Sequence, residues 1–234
     1  MKCNLSEVFR TLQGEGLHTG VPSVFIRFSG CNLRCRWQNP DGTETRCDTP
    51  YASWEAEDNP STVDDVVAVV QSMIVPGDDI VITGGEPTLQ HEAVNAILEK
   101  LSGHVVTIET NGTNPVRLPD VAILSISPKL EFTGNSRFND QEYAERVRAL
   151  IALNPRAWVQ LKYVVSNCEE VDRITAFHAL IEGPNVVPML MPQGITNEQL
   201  NSRLLWLAET CKRLGWRLTD RQHVRIWGGA KRGV

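Results

Sequence analysis

No apolar run in this chain approaches the roughly 18 residues that a membrane span needs. Its 234 residues contain no internal repeat and no low-complexity tract. Basic charge is not in excess. The 23 Lys and Arg against 28 Asp and Glu leave a net charge of −5, which argues against a broad nucleic-acid surface built from clustered cations. A small anionic ligand held by a few basic groups stays open. The first residues, M-K-C-N-L-S-E-V, carry no apolar signal-peptide core, so the expectation is a cytoplasmic protein without a membrane segment. Thiols stay reduced in that compartment, and six cysteines there point to metal binding or catalysis rather than disulfides.

Cys3, Cys168 and Cys211 are scattered and read as ordinary core or surface thiols. Cys31, Cys35 and Cys47 are different, because they form the run C-x3-C-x11-C. They are close enough to share one metal centre, and one ligand short of the four thiolates that normally hold an iron–sulfur cluster. An open coordination position marks a reactive metal site rather than a structural one. No C-x2-C pair is present, and the spacing is not a common zinc pattern. Three unrelated thiols, or a redox sensor pairing Cys31 with Cys35, are the competing readings.

Short apolar runs alternate with helical patterns along the chain. Strands are expected at Val24–Phe28, Asp79–Ile82, His104–Ile108, Ala122–Ile126, Val159–Val165, Val186–Met191 and His223–Trp227. Helices are expected at Ser61–Met73, with Ser61 as N-cap, and at His91–Leu101, Gln141–Leu153, Glu169–Ile181 and Thr196–Leu214. The last is opened by a capping box, Thr196 with Gln199. This alternation implies βαβ units, a mainly parallel sheet and a partial or irregular barrel of six or seven strands. Weak helical signal between Glu109 and Asp140 suggests that one crossover is shortened or missing. In such folds the site gathers at the C-terminal strand ends. Gly30-Cys31, T-G-G-E-P (Thr83 to Pro87), E-T-N-G-T (Glu109 to Thr113) and S-P-K (Ser127 to Lys129) all follow strands. Gln160 and Lys162 lie one residue apart on a strand and share a face.

The cysteines together with T-G-G-E-P resemble the radical S-adenosylmethionine (SAM) superfamily. The ordered set S-E-V-F-R-T-L-Q-G-E-G, V-F-I-R-F-S-G-C-N-L-R-C, C-D-T, E-T-N-G-T, S-P-K, Q-L-K-Y-V-V and W-G-G-A-K-R-G-V is similar to the 7-carboxy-7-deazaguanine synthase family within it. One feature departs from that superfamily's usual C-x3-C-x2-C: Trp37 is in place, but Gln38 to Arg46 intervene before Cys47. This looks like a nine-residue insertion, turn-rich and polar as a surface loop should be. Its extra closure entropy is roughly 1 kcal/mol, small beside metal–thiolate bonding.

The resemblance implies a partial, irregular (β/α)6-type TIM barrel of the radical SAM kind. It implies one radical SAM domain over 1–234, with an insertion at about 38–46 and a C-terminal lid at about 223–234. The activity implied is a lyase reaction. It converts 6-carboxy-5,6,7,8-tetrahydropterin to 7-carboxy-7-deazaguanine with loss of ammonia, through a 5′-deoxyadenosyl radical, in 7-deazapurine biosynthesis of the queuosine type. The implied cofactors are a 4Fe–4S cluster on Cys31, Cys35 and Cys47, SAM, and Mg²⁺ on Thr49. Leu12, Gln13, Gly14, Glu15, Arg27, Thr83 and the terminal Val234 match substrate positions. Asp48, Gly85, Glu86, Glu109 and Asn111 match SAM positions, as do Ser127, Pro128, Lys129, Gln160 and Lys162. A flavodoxin- or ferredoxin-type electron donor and a homodimer are implied as partners. The rival readings are a radical SAM activase making a glycyl radical on a partner protein, and a non-catalytic iron–sulfur or metal-binding protein. The insertion holds no cysteine of the kind such activases add, and a scaffold has no need of polar pairs facing a cavity.

Overall fold

The structure, a computed structural model, describes residues 1–38, 42–181, 183, 185–229 and 231–234. Residues 39–41 of the insertion and Ala230 of the C-terminal motif therefore lie outside the described residues. The chain runs β1 (Lys2–Leu12), β2 (Pro22–Phe28), β3 (Arg36–Gln38), β4 (Glu44–Arg46), β5 (Pro60–Thr62), α1 (Val63–Met73), β6 (Asp79–Gly84), α2 (His91–Lys100), β7 (Val106–Thr110) and β8 (Ile123–Ile126). It continues through α3 (Asp140–Leu153), β9 (Trp158–Val165), α4 (Glu169–Ala179), β10 (Val186–Pro192), α5 (Asn197–Leu214), β11 (Arg217–Leu218) and α6 (Gln222–Trp227).

Nine strands form one sheet in the order β11-β10-β9-β8-β7-β6-β2-β1-β5. The six strands from β2 through β6, β7, β8 and β9 to β10 are parallel to their neighbours. This is the expected (β/α)6-type partial barrel, left open between edges β5 and β11. Parallel strands have both faces covered. Accordingly Ile80, Ile82, Ile108, Leu124, Ile126 and Leu161 are fully buried.

Each helix shows why it forms and where it stops. In α1 the buried residues Val63, Val66, Val67 and Val70 recur at helical spacing. Its N-cap is Thr62, whose hydroxyl accepts from the Asp65 amide. Ser61 is not the cap, because it pairs with Cys3 across β1 and β5. In α3 a capping box joins Asn139 and Glu142, and in α5 Thr196 accepts from the Gln199 amide. The β7–β8 crossover has no helix, as the weak signal there implied.

Strands β1, β3, β4, β5 and β11 lie outside the expected set, and α6 replaces an expected strand. The N-terminal eleven residues form β1, antiparallel to β2. A register shift between Leu5 and Glu7 breaks the period-two alternation that would have announced it. At the other end, His223–Trp227 is not a strand but lies within α6. The run H-V-R-I-W alternates like a strand, yet only Val224 is buried. Beyond it, Arg232 anchors the tail. Its two Nη atoms donate to Glu57 at 2.8 and 3.0 Å, and its guanidinium lies 3.8 Å from the Tyr51 ring centroid. No helix among the described residues is long and apolar enough to cross a membrane.

A candidate active site at the strand ends

The end of β6 and the turn after β2 touch through backbone. The Gly85 amide donates to the Phe28 carbonyl at 3.1 Å, and the Glu86 amide to Gly30 at 2.9 Å. A Cβ on Gly85 would lie 2.2 Å from the Ala52 carbonyl oxygen and 2.3 Å from that of Gly30, so only glycine permits this approach. Gly85→Ala is expected to destabilise the protein by about 2–3 kcal/mol, read by urea unfolding. A change within about 0.5 kcal/mol, as for a neutral surface substitution, would show that the contact is dispensable.

Glu86 is fully buried and does not project into the cavity. Its carboxylate accepts from the Thr88 amide and hydroxyl, the Thr110 hydroxyl and the Asn111 amide, at 2.6 to 3.0 Å. It ties the turn after β6 to the end of β7, and so sets Asn111 in the cavity wall.

The insertion between Cys35 and Cys47 is a hairpin, not an irregular loop. Arg36 pairs with Arg46, Trp37 with Thr45 and Gln38 with Glu44. The two cysteines therefore flank its base, and the Cys47 amide donates to the Cys35 carbonyl at 3.1 Å. Trp37, 7% exposed, packs with Leu33 and Cys35, and Cys31 lies against that cluster. Burial lifts the Cys31 thiol to about 11 and the Cys35 thiol to about 12. As free thiols they stay protonated and unreactive, which counts against a redox sensor. Thr49 begins the short turn at Pro50–Ala52, but its side chain makes no capping bond. Its hydroxyl lies 3.5 Å from the Cys47 sulfur and faces the cavity.

Below this rim the cavity holds a charged cluster. Lys162 Nζ lies 2.5 Å from Glu15 and 3.6 Å from Glu109. Glu109 also accepts from Thr83 at 2.9 Å and from Gln13 at 3.4 Å. Burial pulls the Lys162 ammonium down, but Glu109 and Glu15 outweigh it and hold the group up at about 12. Burial works against the Glu15 carboxylate, yet Lys162, Arg221 and His223 hold it well below the ordinary range. Arg221, unnoticed in the sequence, donates to Glu15 at 3.1 Å and to Asp48. Nothing near it in the sequence marks it, because Glu15 and Asp48 lie far away along the chain.

Leu12, Gln13, Gly14, Glu15 and Arg27 line the same cavity as Thr83, Gly85, Glu109 and Asn111. Ser127, Lys129, Lys162 and Val234 complete its wall, with Cys35, Cys47, Asp48 and Thr49 at the rim and His223 at the side. Arg27 gives its Nε to Glu7 at 2.8 Å, and its two Nη groups have no protein partner among the described residues. Four of the residues expected at the site do not line the cavity: Cys31, which lies against the Leu33, Cys35 and Trp37 cluster beside it, and Glu86, Pro128 and Gln160. Gln160 is occupied beneath it, donating to Ser125 at 2.7 Å and accepting from the Leu17 amide at 2.9 Å.

A family model described as a 4Fe-4S single cluster domain matches residues 12–150. A 7-carboxy-7-deazaguanine synthase of Halobacterium salinarum is 37% identical, over 97% of this chain and 91% of its own. This chain belongs to the 7-carboxy-7-deazaguanine synthase family. The Rhodopirellula baltica member is 36% identical over 98% and 88% of the two chains. The crystal structure of QueE from Escherichia coli superposes with a TM-score of 0.69 at 27% identity, covering 95% of both chains. The shared fold is the radical SAM partial barrel.

The donor set fits the cluster of this synthase family. Among the described residues, no three His, Cys, Asp or Glu side chains converge on a point where one ion would sit. Cys35 and Cys47 at the cavity rim, with Cys31 against the Leu33 and Trp37 cluster beside them, supply three thiolates, one per iron with one iron left open. A bound metal centre would also offset the burial that raises the Cys31 and Cys35 thiols.

Proposed function

We propose that this protein is a radical SAM lyase that converts 6-carboxy-5,6,7,8-tetrahydropterin to 7-carboxy-7-deazaguanine with loss of ammonia, in 7-deazapurine biosynthesis of the queuosine type. The observation that carries the reading is one cavity in which the Cys35 and Cys47 rim faces a polar wall of Gln13, Arg27, Glu109 and Lys162. When bound, the 4Fe–4S cluster and SAM supply a 5′-deoxyadenosyl radical that takes hydrogen from the substrate; the protein aims it.

Cys31, Cys35 and Cys47 hold the cluster. The backbone of Leu12 to Gly14, with the Gln13 amide and the Glu15 carboxylate, offers donors and acceptors to the pterin edge. The open Nη pair of Arg27 matches a carboxylate fork. Thr83 and the Val234 carboxylate complete the substrate seat. Asp48, Gly85, Glu109, Asn111, Ser127, Lys129 and Lys162 face SAM. Glu86 and Gln160 support that wall from behind rather than touching the ligand. The Thr49 hydroxyl, 3.5 Å from the Cys47 sulfur and facing the cavity, is a hard donor for Mg²⁺, which takes few protein ligands and keeps its waters.

The chain acts as one radical SAM domain, its 38–46 hairpin extending the cluster loop. Residues 223–234 form a lid that Arg232 straps across the mouth, excluding water from the reacting groups. Exposed Arg34, Arg36, Arg46 and Arg137 surround the cysteines in a chain of net charge −5. That local charge suits an acidic flavodoxin- or ferredoxin-type electron donor. Exposed Leu205, Leu218 and Ile226, at the β11 edge, suit a homodimer. A cluster with an open iron suits the reducing cytoplasm.

The test is anaerobic reconstitution with iron and sulfide, then assay with SAM, the carboxypterin, Mg²⁺ and dithionite. The expected result is the deazaguanine product. Cleavage of SAM without that product would move the substrate elsewhere, including toward a glycyl-radical partner.

A further inference from the structure

We infer that Arg221 is a positioning residue for the third cluster thiolate: it fixes Asp48, and through Asp48 the neighbouring Cys47. The inference rests on the cluster reading above. Arg221 sits just before α6, with its side chain 10% exposed, and every nitrogen of its guanidinium is engaged. Nε donates to Glu15 at 3.1 Å, Nη1 to the Gly194 carbonyl at 2.6 Å, and Nη2 to Asp48. Two of these anchors are themselves fixed. Glu15 is gripped by Lys162, and Gly194 is backbone just beyond β10. A planar fork held at two points cannot turn, so Arg221 is the rigid post and Asp48 the group tied to it.

The need for such a post lies in the insertion. Cys31 and Cys35 are separated by three residues and share the apolar cluster of Leu33 and Trp37. Cys47 follows eleven intervening residues, so its place depends on the β3–β4 pairing and on what holds the chain just after it. The hairpin base supplies one backbone bond, from Cys47 to Cys35. On the outgoing side the Thr49 hydroxyl lies 3.5 Å from the Cys47 sulfur, and Asp48 is the neighbour tied to a fixed post. One of its oxygens takes the Arg221 bond, while the other stands 3.9 Å from the Cys47 sulfur. Asp48 also adjoins Cys47 along the chain, so pinning its carboxylate pins the backbone that carries the sulfur. Arg225, within α6, serves as the control for helix docking, because it pairs with Asn201 and with Asp220, which also accepts the Arg221 backbone amide, and does not contact Asp48.

The experiment uses the full-length enzyme, reconstituted anaerobically and kept free of SAM, so that no ligand role of Asp48 enters. The readout is the rate at which a ferrous-iron chelator bleaches the cluster absorbance. The pair is buried at Arg221 and a third exposed at Asp48, so R221Q and D48N are each expected to lose iron about threefold faster than the parent. R221K should fall between, since a single ammonium reaches one carboxylate. R225Q should match the parent. The inference is overturned if R221Q keeps iron as long as the parent. It is also overturned if R225Q loses iron as fast as R221Q, which would make the docking of α6 as a whole the cause. Slower loss in D48N would overturn it too, since Arg221 would then only neutralise a charge that repels the thiolates. Where R221Q fails to fold, D48N, which preserves side-chain size, decides alone.

Discussion

Cys47→Ala is expected to abolish both the iron–sulfur cluster and all detectable turnover, although Cys47 stands far outside the compact spacing in sequence. The hairpin is the reason. By pairing Arg36 with Arg46, it returns the chain to within one hydrogen bond of Cys35 before Cys47 is reached. No other cysteine is placed to substitute: Cys168 is exposed, and Cys3 and Cys211 are buried elsewhere. With two thiolates left, the cluster has lost a third of its protein ligands. Iron and sulfide per chain, visible absorbance and product formation should fall together. Cys168→Ala should keep all three. Removing residues 38–46 leaves C-x3-C-x2-C, and that variant should still bind iron. Full iron in Cys47→Ala would remove Cys47 from the site and with it the reading of the insertion.

The second large effect is expected from Lys162→Met, which fits the volume but removes the charge between Glu15 and Glu109. Glu15 keeps Arg221, at 3.1 Å. Glu109 keeps only the neutral donors of Thr83 and Gln13, so one cavity carboxylate loses its cation. Such a loss costs about 3–5 kcal/mol, measurable by chemical denaturation at neutral pH. Turnover should fall by about two to three orders of magnitude. The pH dependence gives a second check. Lys162 is raised from 10.5 to about 12 in the fold, so its contribution is fully present below 10.5 and fades as pH rises through 12. The parent should lose about 2 kcal/mol of its advantage over Lys162→Met across that window. A gap that stays constant through it would mean that the ammonium is not what stabilises the cluster of charges.

Much of this arrangement was legible in the chain, for reasons the residues make plain. Strands β2, β6, β7, β8, β9 and β10 are short apolar runs because both their faces are covered. The polar motifs follow them because that is where a parallel sheet exposes chemistry. Lys162 and Gln160 were placed on one face correctly. Depth along the strand was not readable, and it separates a cavity lysine from a glutamine sealed under Leu17. Glu86 was legible as a carboxylate after a strand. Its burial among Thr88, Thr110 and Asn111 depends on contacts between loops. The hairpin was read as a surface loop, although Trp37 and Thr45 flanking N-P-D-G carry the signal of two strands around a turn. Arg221 had no signal at all: its meaning comes from Glu15 and Asp48, which only the folded barrel brings to it.

The base of the β3–β4 hairpin makes the spacing of the cluster ligands independent of what lies beyond it. Residues can be added or removed there in matched pairs, one per strand, while Cys35 and Cys47 keep their places. A short affinity tag carried between Gln38 and Glu44 should therefore leave iron binding unchanged.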